Sequence, residues 1–340
     1  MSNQVVKPLS ILSIGEKTGD NLLTNQQLQA AGAAVDCNSS IVARKSSLVS
    51  VLIKDGALDV AYLAEWVNQS TKQKILASPS CTTTLGSGAV KDAISKLTIQ
   101  VDQLGLLIGD TITSAEVTPS EGQRIAGSLG LKIPCYDITA ASGAFVVQLD
   151  ALRRWKTDRV PEYTCLVSAN TASHFINSSM PFGSNFSDGA SALILSNQIS
   201  GRLIIEDTYI SKDPVRLNSM AVQKFGSVHF DQTAFTEDVR KGFTDSLNIL
   251  KSKEGQQALN DGYFIGSQCL SAVTNQLAVE FGFNPSRILQ IGDSDGDCVG
   301  AVPGIILSRH MSRLETGRKV FVVQSGIGFS GGYVVLRISS

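Results

Sequence analysis

The chain is poor in the residues that build metal centres. Its six cysteines, Cys37, Cys81, Cys135, Cys165, Cys269 and Cys298, lie far apart. None forms a Cys-x-x-Cys pair, and no histidine stands near one to complete a zinc site. They read as reduced, mostly buried thiols. Long apolar runs are also missing, and without eighteen consecutive apolar residues no membrane-spanning helix is expected. The polar start from Met1 to Lys7, and the interruption of the next apolar stretch by Glu16, Lys17 and Asp20, argue against a signal peptide, so the expected location is cytoplasmic. Blocks of one charge sign are absent too: 29 basic and 30 acidic residues leave a formal net charge of −1. Neither nucleic acid nor an anionic membrane is the expected partner.

What is present describes a globular α/β protein. Apolar residues make up 43% of the 340 and charged ones 17%, enough to bury a full core. Short aliphatic or β-branched runs alternate with helix-like stretches from end to end. Two strand-helix-strand passages resemble each other. In one, LGLLIG (residues 104–109) leads to a helix ending at Gly130 and a strand around residues 135–138; in the other, GYFIG (262–266) leads to a helix ending at Gly282 and a strand around 288–291. Internal duplication is the expectation, with one half over residues 1–195 and the other over 196–340 in a single compact unit.

The first passage carries a more specific likeness. IGDTITSAEVTPSEGQRIAGSLGLKIPCYDITAASGAF (residues 108–145) runs from strand to polar loop, to a helix closing on Leu-Gly, to a strand, and then through a turn into a buried helix. FGSNFSDGASALIL (182–195), VGAVPGIIL (299–307) and SGIGFSGG (325–332) follow at matching separations. Over nearly its whole length the chain resembles β-ketoacyl-(acyl carrier protein) synthase III. That resemblance implies the thiolase fold, an α/β architecture layered αβαβα from two duplicated halves, and a dimer.

The same resemblance places Ser142 where the family keeps a nucleophilic cysteine. A cysteine there gains from the helix N-terminus, which favours a thiolate; a serine keeps the position but needs activation. The family's histidine corresponds to Ser267, next to the retained Gln268, and its asparagine to Gly296. Losing one such hydrogen-bond donor costs about 10²–10³ in rate, so decarboxylative condensation by this chain alone is not expected. The amide of Ser142 and the Ile327-Gly328 turn correspond to the backbone oxyanion hole. Ser142 therefore reads either as an acyl acceptor or as a small residue that fits a buried turn.

Asp293, Asp295 and Asp297 stand in GDSDGD, which a calcium loop would continue with Gly and, at its twelfth position, Glu; Cys298 and Gly304 stand there instead. A structural loop is the reading, with Asp297 as the candidate to replace the lost asparagine or to act as a base toward Ser142. His174 is a candidate relocated base or substrate contact, and His310, between Arg309 and Arg313, reads as structural. In the family a tryptophan and arginines hold coenzyme A; the matching SSIVARK keeps Arg44 and has Ser40 for the tryptophan. The helix that would dock an acidic carrier corresponds to residues 254–286, which contain no Lys or Arg.

Two functions stand at this point. One is an acyltransferase or chain-initiation protein that takes an acyl group onto Ser142 from acyl-coenzyme A or an acyl carrier protein, in fatty-acid, polyketide or related metabolism, with hydrolysis as its variant. The other is a catalytically silent subunit paired with an active synthase III-like paralogue. No resident cofactor or metal is expected, and the dimer is either homodimer or heterodimer.

Overall fold

Several apolar runs are buried at successive positions, as strands covered on both faces must be. Leu106–Asp110, Thr164–Thr171 and Asp188–Ser196 are buried throughout. The computed structural model describes residues 8–23, 75–77, 82–114, 116–172, 186–212, 219–222, 228–268, 270–291, 295–326 and 329–340. Its strands are β1 (Ser10–Thr18), β2 (Asn21–Leu23), β3 (Ile75–Ala77), β4 (Leu106–Asp110), β5 (Cys135–Asp137), β6 (Thr164–Thr171), β7 (Asp188–Ser196), β8 (Leu203–Ile210), β9 (Met220–Val222), β10 (Val228–Phe230), β11 (Tyr263–Ile265), β12 (Lys319–Gly326) and β13 (Phe329–Ile338). The helices are α1 (Thr82–Ser95), α2 (Glu121–Ser128), α3 (Ala144–Arg153), α4 (Gln232–Glu254), α5 (Gln256–Asp261), α6 (Ser271–Phe281) and α7 (Val302–His310).

Helix ends follow local chemistry. Ser120 and Gln123 form a reciprocal capping box at the start of α2, with the Ser120 hydroxyl accepting from the Gln123 N–H and the Gln123 side chain accepting from the Ser120 N–H. Asp231 caps α4 by accepting from the Ala234 N–H at 3.0 Å. Gly282, at φ +99°, closes α6 in a left-handed conformation that a side chain would resist.

Nine strands join in the order β11-β12-β13-β8-β1-β7-β6-β4-β5. β1 and β8 connect the two sides, pairing at Ser10 with Ile204 and at Ile11 with Leu203. Read inward from either end, the order repeats itself. Leu107 on β4 lies between Cys135 and Cys165 in two parallel pairings; Phe264 on β11 lies between Ile288 and Phe321, also in parallel. These are the duplicated halves.

The helices complete the layers. α1 covers β1, β6 and β7 beside α2, while α4 covers β12 and β13 beside α6. α3 and α7 lie between the halves, and each packs across to the other one: α3 against β8 and β13, α7 against β1 and β7. Phe145, Leu149, Val302, Ile305 and Ile306 fill the central core with the inner faces of both sheets. The thiolase architecture is thus present, and the N-termini of the two central helices meet in its middle.

Candidate functional site

The run Ala-Ala-Ser-Gly-Ala has side chains small enough for a tight turn beneath a sheet. Ala141, Ser142 and Gly143 form a 3₁₀ turn leading into α3, and the Gly143 N–H donates to the Ala140 carbonyl at 2.8 Å. Ala141 sits at φ +46°. A left-handed alanine costs roughly 1 kcal/mol, so surrounding packing must hold the turn in place. The other half repeats the device: Val299, at φ +58°, opens a 3₁₀ turn leading into α7. The two turns touch.

Ser142 is buried, with 6% of its surface exposed. Among the described residues none hydrogen-bonds to its hydroxyl. Gly326, at the end of β12, lies over it: a Cβ there would come within 3.0 Å of both Cβ and Oγ of Ser142. A side chain there would force Ser142 or the strand to give by a few tenths of an ångström. The N-terminal position on α3 directs backbone N–H groups and the positive end of the helix dipole toward this point.

Ser267 follows β11 and is also buried. Its hydroxyl donates to the Ser325 carbonyl at 2.9 Å and lies 3.3 Å from the Ser325 N–H, so it ties the loop to β12 one residue before Gly326. Gln268 donates to the Gly266 carbonyl at 3.3 Å. Ser267 is therefore a strut between the loop after β11 and the end of β12, its hydroxyl engaged with backbone.

Asp297 is buried and braces the opposite turn, its Oδ1 accepting from the Val299 N–H at 2.7 Å. Its carbonyl accepts from the Ser187 N–H at 3.0 Å. Asp295 pairs with Arg309 at 2.5 Å, and Arg309 reaches Glu16 at 2.8 Å. The acidic loop is in this way tied to β1 and α7. Its buried Gly296 carbonyl accepts from the Cys298 thiol at 3.7 Å, and burial, followed by Asp297 and Asp295, pushes that thiol well above its ordinary range. His310 has Nε2 3.3 Å from the Gln290 carbonyl, a structural contact on α7.

Ser142, Ser267 and Asp297 thus come to one region through Gly326, Ser325 and the Val299 turn. Arg44, His174, Ile327 and Gly328 lie outside the described residues, as do Ser40 and Asp293. Among the described residues no group of three or more His, Cys, Asp or Glu is placed to hold a metal ion, and no helix is long and apolar enough to cross a membrane.

One buried acid beside the site had received no role from the sequence. Asp110 ends β4 at 1% exposure and accepts from the Ser168 hydroxyl at 2.5 Å. Asn170, also buried, extends the cluster, accepting from the Ile112 N–H at 3.0 Å and donating to the Cys298 carbonyl at 3.4 Å. Burial pushes the Asp110 carboxyl up to about 7; the Ser168 hydroxyl and the Ala140 N–H act against that shift, and Asp137 adds to it. The sequence signal was a charged residue closing an apolar run, LGLLIGD.

No protein-family model matches the chain. A curated relative, the β-ketoacyl-(acyl-carrier-protein) synthase III of Shigella dysenteriae, is 23% identical over 290 residues, which is 80% of this chain and 90% of the relative. Among solved structures, the 3-oxoacyl-(acyl carrier protein) synthase III of Pseudomonas aeruginosa superposes with a TM-score of 0.78 at 18% identity, covering 98% of this chain and 99% of that one. A variant of OleA from Xanthomonas campestris gives 0.77 at 16% identity, covering 98% and 97%. By sequence and by fold, the chain is β-ketoacyl-(acyl-carrier-protein) synthase III-like and has the thiolase fold.

Proposed function

We propose that this protein handles acyl thioesters and takes an acyl group onto Ser142, as an acyltransferase or chain-initiation protein. The observation that carries the reading is the placement of Ser142: buried, at the N-terminus of a central helix, under Gly326, with no described residue bonded to its hydroxyl. In the step itself, Ser142 Oγ bonds to the thioester carbonyl carbon, the carbon–sulfur bond breaks, and the hydroxyl proton leaves with the departing thiol. Backbone N–H groups at the start of α3 supply charge stabilisation for the tetrahedral oxyanion. The donors that suit this chemistry are acyl-coenzyme A and acyl carrier protein, the second of which stands in the names of the relatives. With Ser267 tied to Ser325, carbon–carbon bond formation lacks its histidine equivalent.

A second reading has its own support. The same Ser267–Ser325 tie, together with Asp297 bonded to its own turn, leaves Ser142 without an evident base among the described residues, which suits a silent subunit paired with an active synthase III-like paralogue. Incubation with a panel of acyl thioesters followed by intact-protein mass spectrometry separates the two. An acyl adduct in the wild type that is lost in Ser142→Ala supports acyl transfer; no adduct from any donor favours the silent subunit.

A further inference from the structure

Gln324 is a long polar side chain at 1% exposure, and among the described residues its Oε1 has no hydrogen-bond partner. Its direction follows from the strand. On β12, Val320 and Val322 belong to the central core while Phe321 and Val323 belong to the core under α4 and α6, so Gln324 continues the central face. Gly326 is next on that face and packs on Ser142. Across the ladder stands Gly332, which brings no side chain to the amide. A buried acceptor left open costs stability, and it calls for a donor from outside the described chain, a ligand or a bound water.

The other half shows where a residue at this place reaches. Counted from the matched pairs Leu107–Cys165 and Phe264–Phe321, the third residue along is Asp110 beside Ser168 in one half, and Ser267 and Gln324 in the other. Ser142 and Gly300 match likewise, each being second in a 3₁₀ turn opened by a left-handed residue. Ser168 lies against Gly300: a Cβ built there would stand 2.7 Å from Ser168 Oγ and 2.6 Å from Asp110 Oδ2. By the same register Gln324 lies against Ser142. The halves differ in how the polar group is answered. Ser168 donates to Asp110 at 2.5 Å, whereas Ser267, in the place of Asp110, is turned to the Ser325 backbone. Gln324 is left with an open acceptor beside the Ser142 hydroxyl, and the two are not bonded to each other.

We propose that Gln324 contacts the acyl group delivered to Ser142 and selects chains that carry a hydroxyl on one of the first carbons after the carbonyl. A saturated chain offers only C–H to Oε1, and its binding leaves the acceptor buried and unpaired. A hydroxyl donates to it, and because a hydroxyl also accepts, it pairs with either end of the amide. Gln324 is two residues from Gly326, no more than about 7 Å along the strand, so its amide serves the beginning of the chain rather than a distant end. A site that bonds a hydroxyl discriminates far more sharply than one that only fills space. For the covalent step the inference rests on the reading of Ser142 given above; the preference in binding is measurable without it.

Three coenzyme A thioesters that differ by one hydroxyl, butanoyl, 2-hydroxybutanoyl and 3-hydroxybutanoyl, make the test on the full chain. Binding is read by isothermal titration calorimetry on Ser142→Ala, where transfer to the serine is blocked, and acylation by intact-protein mass with Ser142 in place. One of the hydroxyacyl donors should bind and acylate about tenfold better than butanoyl, the scale of one buried hydrogen bond. Gln324→Leu, made in both backgrounds, should cancel or invert that preference, with a melting temperature no lower than its parent because an unpaired acceptor is removed. Gln324→Met, closer in length, decides the matter if the leucine variant does not fold. Equal binding of the three donors, binding of none, or a preference that survives in the Gln324 variants overturns the proposal. A hydroxyacyl preference in binding without any adduct sinks acyl transfer to Ser142 and leaves Gln324 as the selector; adducts formed equally fast from all three donors do the reverse.

Discussion

The hydroxyl of Ser267 donates to the carbonyl of Ser325 at 2.9 Å, one residue before the glycine that packs on Ser142. A hydroxyl so engaged supports the strand end above Ser142. Ser267→Ala should therefore act on stability first. Loss of a buried hydrogen bond costs about 1–2 kcal/mol, measurable by urea denaturation, while any Ser142 acylation should stay within a few-fold of wild type. A loss of acylation by a hundredfold at unchanged stability would instead make Ser267 a catalytic group.

Gly326→Ala tests the approach of β12 to the site. The added Cβ meets Ser142 Cβ and Oγ at 3.0 Å, tighter than ordinary contact. Small overpacking of this kind costs about 1–3 kcal/mol, and the crowded hydroxyl should lose its reactivity by far more than that stability change accounts for. Acylation and melting temperature, measured together, give the comparison. Retained acylation would mean that Ser142 reaches substrate from another side.

Asp110 should make stability depend on pH. Its carboxyl is pushed from the ordinary 3.8 to about 7 by burial, so the folded state holds a proton that the unfolded state releases. The sign follows: its contribution is complete below about pH 4, declines as pH rises, and levels off above about pH 7, a span of at most about 4 kcal/mol. Asp110→Asn removes that span. Relative to wild type the variant should gain stability between pH 4 and pH 7 in chemical denaturation, and parallel stability curves would contradict the assignment.

Two thiols should be inert in the folded protein. Burial pushes Cys165 up to about 12 and Cys298 well above its ordinary range. Thiolate, not thiol, reacts with alkylating agents. Labelling with iodoacetamide followed by peptide mapping should leave both unmodified until denaturant is added; modification of either under native conditions would show that the centre of the protein opens.

Much of the fold was legible because it is local. The passages at residues 104–138 and 262–291 announce their strands and helices through apolar runs and the glycines that end them, and their likeness to each other gives the duplication. The site was legible only where a motif carries it, as the Ala-Ala-Ser-Gly-Ala turn does. That Ser267 would bond to Ser325, 58 residues away, depends on strand register and cannot be read from either segment. The same is true of Asp110, whose partner Ser168 and neighbour Gly300 come from β6 and from the other half. Likewise, an apolar helix such as α3 does not state that it will pack on β8 and β13 rather than on its own half.

The central claim is that Ser142 accepts an acyl group from a thioester. Wild type and Ser142→Ala, each incubated with acyl-coenzyme A and acyl carrier protein donors, should be compared by intact-protein mass and peptide mapping. The account predicts an acyl mass on the peptide containing Ser142, stable to neutral hydroxylamine as an oxygen ester is, and absent from the variant. No adduct from any donor, or an adduct that persists in Ser142→Ala, would contradict it.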